Sequence, residues 1–280
     1  MQNIVILISG RGSNFEAILR TSREENWESA CNARIAAVIS NRPQAAGLDI
    51  ARAAGIEAVA MDHKAYDSRE AFEAELADII SRYDPAVIVL AGFMRVLTEG
   101  FVSRFEGKIL NIHPALLPLF PGLNTHQRAI DAGCRVHGST VHFVTAVLDG
   151  GSIIGQAVVP VLPSDDADAL AHRGLVYEHQ LYPKCVRAIL EGRVRCEDGR
   201  TVWPRRGSGR FLFALTTAEY IWLKPSSRSV ARLRCRSPAR PSALSRPAAR
   251  SASAPPTSAA ARRPAPWAAT RRARRRPKSA

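Results

Sequence analysis

The chain has 280 residues, with 39 Lys and Arg against 25 Asp and Glu and a formal net charge of +14. The excess lies at one end: residues 1–200 carry 20 basic and 24 acidic side chains, residues 201–280 carry 19 and 1. That split excludes a basic globular body; the first 200 residues are a mildly acidic sequence, long enough to bury roughly 70% of their unfolded surface.

Asn3–Ile8 is a continuous apolar run, the pattern of a central parallel strand covered on both faces. Ser9-Gly-Arg-Gly-Ser-Asn14 follows, then a helical pattern with Phe15, Ile18 and Leu19 on one face. Strand, glycine turn and helix in that order can cradle a phosphate, because backbone N–H groups and the helix N-terminus converge on an anion. Glycines serve any tight turn as well, and the motif is neither a Walker loop nor GxGxxG, so spacing alone leaves both uses open. Ile35–Ser40 reads as a second strand with Asn41-Arg-Pro43 as its exit, Ala45–Ala54 as a short helix stopped by Gly55, and Glu57–Met61 as a brief strand. Asp67–Tyr83 is the clearest helix. Asp67 stands three residues before Glu70 as in a capping box, and Phe72, Leu76, Ile79, Ile80 and Tyr83 form its buried face. Arg69 falls in its first turn, where its charge opposes the helix dipole and a solvated side chain is the plain expectation.

Ala86–Ala91 is another apolar strand, ending in Gly92-Phe-Met-Arg-Val-Leu97. An apolar loop there is either core or the wall of a pocket for a flat heteroaromatic ring. Four strands alternating with helices argue for a parallel, Rossmann-like sheet. Ile109–Ile112 is the next strand, ending at His113 because Pro114 restricts the residue before it and cannot donate to a ladder. Alternation puts Asn111 and His113 on one side, at the carboxyl end where open α/β sheets bind ligands. A short helix, Gln127–Ala132, precedes the strand Val136–Val144, which directs His137, Ser139, Val141 and Phe143 one way and Gly138, Thr140, His142 and Val144 the other. His142 is either a core histidine or a pocket residue. Thr145–Gly151 delivers Asp149 and leads to a last strand, Ile153–Val161, whose short connection predicts antiparallel pairing. Asp165–Leu190 is a long helix with Gly174 inside it, a breaker costing about 1 kcal/mol relative to alanine. The fold class is α/β, a Rossmann-like mostly parallel sheet with an antiparallel edge.

Asn111-Ile-His-Pro-Ala-Leu-Leu-Pro118, then Phe120-Pro-Gly122 and Thr125-His126, resembles the signature of the folate-dependent formyltransferases. The Pro-Gly-x-x-Thr-His continuation is similar to the branch that acts on phosphoribosylglycinamide. The resemblance covers residues 3–200 and implies the formyltransferase fold. It further implies transfer of formyl from 10-formyltetrahydrofolate, a co-substrate used without metal, to the primary amine of phosphoribosylglycinamide in de novo purine biosynthesis. By the same resemblance Asn111, His113 and Asp149 are the catalytic set, and Gly12, Ser13 and Asn14 take the substrate phosphate. Glu178, in Glu-His-x-x-Tyr-Pro, takes the ribose hydroxyls, and Arg69, Met94, Arg95, Val96, Leu97 and Asn111 take the folate. In such acyl transfer Asn111 and a protonated His113 donate to the oxyanion, while Asp149 favours the imidazolium or holds a proton-relaying water. The pattern departs from the family at Ala146, often acidic there, and at Gly174.

Rival readings are a formyltetrahydrofolate deformylase, which carries an extra domain ahead of the first strand, and a methionyl-tRNA formyltransferase, which lacks the Gly-Arg-Gly-Ser-Asn loop. A rival of another class is a nucleic-acid-binding protein acting through the basic tail. His126, His137 and His142 show no HExxH or paired spacing, so no metal is expected. From Trp203 onward Arg, Pro, Ala and Ser dominate, so residues 1–202 are read as the domain and 203–280 as a disordered tail. That tail is either a polyanion-binding arm or a non-selected extension. Five dispersed cysteines without a CxxC pair read as reduced thiols. With Met1 running almost straight into a strand and no apolar run near ~20 residues, the expectation is a cytoplasmic protein with no signal peptide and no membrane span.

Overall fold

The computed structural model describes residues 1–203 and 214–216; the remainder of the expected tail lies outside the described residues. The chain builds β1 (Gln2–Ile8), α1 (Ser13–Glu24), α2 (Trp27–Cys31), β2 (Ala33–Ser40), α3 (Ala46–Ala53) and β3 (Glu57–Ala60). It continues through α4 (Arg69–Ser81), β4 (Pro85–Leu90), α5 (Glu99–Arg104), β5 (Ile109–His113), α6 (Thr125–Asp131), β6 (Val136–Phe143), β7 (Ile153–Pro160) and α7 (Ala167–Leu190). A small hairpin, β8 (Arg195–Glu197) with β9 (Arg200–Val202), and a three-residue strand, β10 (Ala214–Thr216), complete the described elements.

The main sheet has the order β10-β7-β6-β5-β4-β1-β2-β3. β3, β2, β1, β4 and β5 run parallel, β6 pairs antiparallel with both β5 and β7, and β10 lies parallel to β7. The mixed sheet expected from the sequence is thus observed, with β10 past the expected boundary at residue 202. Strand alternation assigns each face of the sheet its own core. From β1, Ile4, Ile6 and Ile8 join Phe15 and Ile18 of α1 and Leu181 and Val186 of α7, whereas Val5 and Leu7 join Phe72, Leu76 and Ile80 of α4. β4 divides likewise, with Val87 and Val89 on the first face and Ile88 and Leu90 on the second.

Three local details differ from expectation. The cap of α4 is Ser68, whose hydroxyl accepts from the Ala71 N–H at 3.0 Å, and not Asp67. Helices α2 and α5 have five and six residues, too few for a 3.6-residue period to show. β4 begins at Pro85, one residue ahead of the expected Ala86, a place where the missing N–H costs no intrahelical bond. Gly174 is buried in α7, and a Cβ built there would stand 3.9 Å from His126 Nε2, an ordinary contact. Among the described residues no helix is long and apolar enough to cross a membrane.

Candidate active site

Because β1, β4 and β5 are parallel neighbours, the loops leaving their carboxyl ends lie side by side, at the point where the chain's progress across the sheet reverses. The first loop, Ser9–Gly12, ends with Gly12 at φ 79°, a left-handed turn that delivers the chain into α1. Helix α1 has no side-chain cap, so its first N–H groups remain available to an anion. Gly12 and Asn14 are buried and Ser13 is half-buried. The Asn14 amide is directed elsewhere: its Nδ2 donates to Glu178 Oε2 at 3.0 Å, and its buried Oδ1 has no hydrogen-bond partner. Glu178 accepts at its other oxygen from Ser139 Oγ at 2.9 Å. Two oxygens with one donor apiece still leave the carboxylate further lone pairs.

The second loop follows β4. Its start is tied to the first, since Ser9 N donates to Gly92 O at 3.1 Å and Met94 N donates to Ser9 Oγ at 2.8 Å. Within it Met94 and Val96 are exposed, Arg95 is half-buried and Leu97 is buried. The Arg95 guanidinium lies 5.1 Å from the centre of the Phe72 ring. Arg69 is exposed in the first turn of α4.

The third loop follows β5 and contains the residues of greatest chemical interest. His113 is 5% exposed; its Nδ1 lies 3.4 Å from Asp149 Oδ2 and its Nε2 lies 2.9 Å from the Phe120 carbonyl oxygen. Both ring nitrogens therefore face oxygen atoms, a hydrogen-bonded one at Nε2 and a carboxylate at Nδ1. Asp149 reaches this place from the loop after β6, at φ 53°, and its Oδ2 also accepts from Gly122 N at 2.8 Å. The glycines that follow are required sterically. A Cβ on Gly151 would lie 1.7 Å from Phe143 O, and one on Gly150 would lie 2.7 Å from a Val147 methyl.

Asn111 pairs across the sheet with His142, and its Nδ2 lies 3.3 Å from His142 Nε2. His142 donates from Nδ1 to Phe143 O at 2.8 Å, which leaves Nε2 as the acceptor for the Asn111 amide. Burial pushes the His142 pKa below its ordinary value, keeping that acceptor unprotonated. His142 also stands 4.0 Å from Asp149 Oδ1, so it belongs to the same cluster. Thr140 and Gln156 hold the third loop down: Thr140 Oγ1 donates to Ala115 O at 2.6 Å and accepts from Leu117 N at 3.0 Å, and Gln156 Nε2 donates to Leu117 O at 2.9 Å. His137 donates from Nε2 to Pro114 O at 3.0 Å. Burial, followed by the charges of His126 and His113, brings its pKa down to about 4. Burial also lowers the pKa of His126, whose ring meets that of His137 edge-on at 5.1 Å.

The structure thus gathers Asn111, His113 and Asp149 in one place and joins Asn14 to Glu178, leaving Arg69 exposed on α4. The sequence reading assigned no role to Ser139, Thr140 or Gln156 and left His142 open. Strand parity gives the face of each, but not its partner on another element. Among the described residues no group of three or more His, Cys, Asp or Glu side chains is arranged to hold a metal ion.

Residues 2–186 match the family described as formyl transferase. The chain is 45% identical over 196 residues to the phosphoribosylglycinamide formyltransferase of Escherichia coli (strain K12), covering 70% of this chain and 91% of that protein. It is 42% identical over 201 residues to the trifunctional purine biosynthetic protein adenosine-3 of Bos taurus, of which the match spans 20%. The crystal structure of glycinamide ribonucleotide transformylase 1 from Symbiobacterium toebii superposes with a TM-score of 0.68 at 46% identity, covering 72% of this chain and 94% of that one.

Proposed function

This chain belongs to the formyl transferase family, and from that premise we propose that it moves the formyl group of 10-formyltetrahydrofolate onto the primary amine of 5'-phosphoribosylglycinamide, in de novo purine biosynthesis. The observation that carries this reading is the Asn111–His113–Asp149 cluster at the end of β5, on the same sheet edge as the partly exposed apolar loop after neighbouring β4 and the uncapped N-terminus of α1 after β1.

The substrate amine is the nucleophile. Its lone pair attacks the formyl carbon, the carbonyl pair moves to oxygen, and collapse of the tetrahedral intermediate breaks the bond to N10 of the folate. One proton must leave the amine and one must reach N10. Asn111 gives one amide N–H to His142 and has a second for the oxyanion, so His142 fixes which way the amide faces. His113, when protonated, is a stronger donor than the amide, and it lies beside Asp149. In the structure its Nε2–H is given to the Phe120 carbonyl, so donation to the oxyanion requires exchange of that partner. Asp149 balances the imidazolium charge or holds the water that relays the proton. The N-terminus of α1 receives the phosphate through Gly12, Ser13 and Asn14, and Glu178 offers its remaining lone pairs to the ribose hydroxyls. Met94, Arg95, Val96 and Leu97 wall the folate, with Arg69 near its tail. No step calls for a metal. The dispersed cysteines support a cytoplasmic setting.

The test is release of tetrahydrofolate from 10-formyltetrahydrofolate with and without the ribonucleotide. Release that depends on the ribonucleotide is expected. Release into water regardless of it would instead make the chain a deformylase, and no release would overturn the reading. His113→Asn and Asp149→Asn should each lower kcat by about 100-fold or more with little change in the ribonucleotide KM; equal losses in both would refute this division of labour.

The tail supports a second, separate reading. With 19 basic residues against 1 acidic in residues 201–280, it is an arm for a polyanion. Removal of residues 225–280, which lie beyond the unit Met1–Lys224, should abolish salt-sensitive RNA binding and leave formyl transfer intact. RNA binding equal in the truncated and full chains would dismiss that role.

A further inference from the structure

The loop Gly92–Leu97 leaves β4 and must return to α5. At its start it is held by Ser9, whose hydroxyl accepts from Met94 N and donates to Asn41 Oδ1 at 2.6 Å; Ser9 and Asn41 are 3% and 2% exposed. At its end it is held by Glu73. This α4 carboxylate is 2% exposed, and its Oε2 accepts from both the backbone N–H of Thr98, at 2.9 Å, and the Thr98 hydroxyl. Thr98 is itself the cap of α5, accepting from Phe101 N at 3.3 Å. The residue before Glu73 on the same helix, Phe72, carries the Arg95 guanidinium over its ring. Helix α4 therefore grips the loop at both Arg95 and Thr98.

A buried acid is an expensive way to anchor the cap residue of a six-residue helix. Its second oxygen, Oε1, is buried and has no hydrogen-bond partner, so part of its desolvation is uncompensated. Charge-assisted bonds from two Thr98 donors to one carboxylate oxygen hold the junction more rigidly than a neutral acceptor would. We infer that Glu73 is a positioning residue for the folate: by fixing Thr98 it sets where residues 94–97 stand, without touching either substrate. This rests on the folate role given to that loop above.

The experiment measures the folate KM and the ribonucleotide KM separately, with thermal melting of each variant, in wild type, Glu73→Ala and Glu73→Gln. Glu73→Ala should raise the folate KM about tenfold, the scale of losing a charge-assisted hydrogen bond, and leave the ribonucleotide KM within about twofold. Glu73→Gln keeps an oxygen acceptor for Thr98 and should recover most of the loss. A joint rise in both KM values, or a fall in melting temperature with both KM values unchanged, would overturn the inference in favour of a purely structural acid. If Glu73→Ala does not fold, Thr98→Val decides. It removes the hydroxyl and keeps the backbone donor, so the folate KM alone should rise about threefold, and no rise overturns the inference. A wild-type chain that shows no ribonucleotide-dependent release would refute the functional reading itself and this inference with it. Activity in the wild type with an unmoved folate KM in the variants refutes only the role of Glu73.

Discussion

Acidification should cost this fold about 3 kcal/mol through one side chain, His137. The ring is 2% exposed, donates from Nε2 to Pro114 O, and lies against His126 and Phe120 at ring-centre distances of 5.1 and 6.3 Å. Protonation would put a charge where burial and two further histidines oppose it, which is why its pKa falls to about 4. In the unfolded chain the ring titrates near about 6.5. Between those two values the unfolded state binds more protons, so stability rises with pH across that window. The contribution is complete above about 6.5, declines as the pH falls, and is gone below about 4, where both states are protonated. His126, His142 and His179 are lowered as well, so the wild-type loss is shared and the variant must be compared with it. His137→Gln retains a donor for Pro114 O and cannot titrate. Urea unfolding followed by circular dichroism should show the variant less stable by about 1 kcal/mol at about pH 7.5, with the gap closing and reversing by about pH 4.5. A gap that stays constant across that range would refute the reasoning.

Gly151→Ala places a Cβ 1.7 Å from Phe143 O, so the loop that holds Asp149 must move. Its kcat should fall by about tenfold or more, and kcat equal to wild type would show that the loop is not needed in this form. Gly47→Ala brings a Cβ within 2.5 Å of the Ile8 Cδ1 and 3.3 Å of Gly10 O, pressing on the loop ahead of α1. The ribonucleotide KM should then rise several-fold while the folate KM holds, and steady-state kinetics will tell. The Tyr182 hydroxyl lies 3.1 Å from Leu90 O and 3.0 Å from Leu110 O in a fully buried position between β4 and β5. Tyr182→Phe should therefore lower stability by about 1–3 kcal/mol in denaturant titration with little effect on kcat.

What could be read from the sequence was set by whether the deciding interaction is local. Apolar runs and proline stops place β1, β4 and β5 within a residue or so, because full burial on both faces and a missing N–H act on the strand itself. Parity along β5 puts Asn111 and His113 on one face for the same reason, although it cannot supply their partners. The Asn111 partner is 31 residues away on β6, and the Asn14 partner is 164 residues away on α7; neither separation follows from any local rule. Misassignment of the α4 cap is a near miss of another kind: Asp67 and Ser68 are adjacent good caps, and the choice between them depends on which side chain reaches Ala71 N. A further local signal lies near the end of the described chain. Asp198-Gly199 has both residues at positive φ, 48° and 70°, the two-residue turn that closes the β8–β9 hairpin.

Glu73 shows where pattern reading leads away from the answer. Helical periodicity puts it beside Phe72 and Leu76, and an acid in that position reads as a boundary residue facing water. It is buried because β4 ends just short of a loop whose return needs an acceptor for the Thr98 N–H, and α4 is the element that passes close enough to provide one. A side chain recruited to satisfy a backbone group on another element breaks the pattern of its own element. For that reason the positions that violate amphipathic order, Glu73 on α4 and Glu178 on α7, are the ones to search first for residues that hold a binding site in place.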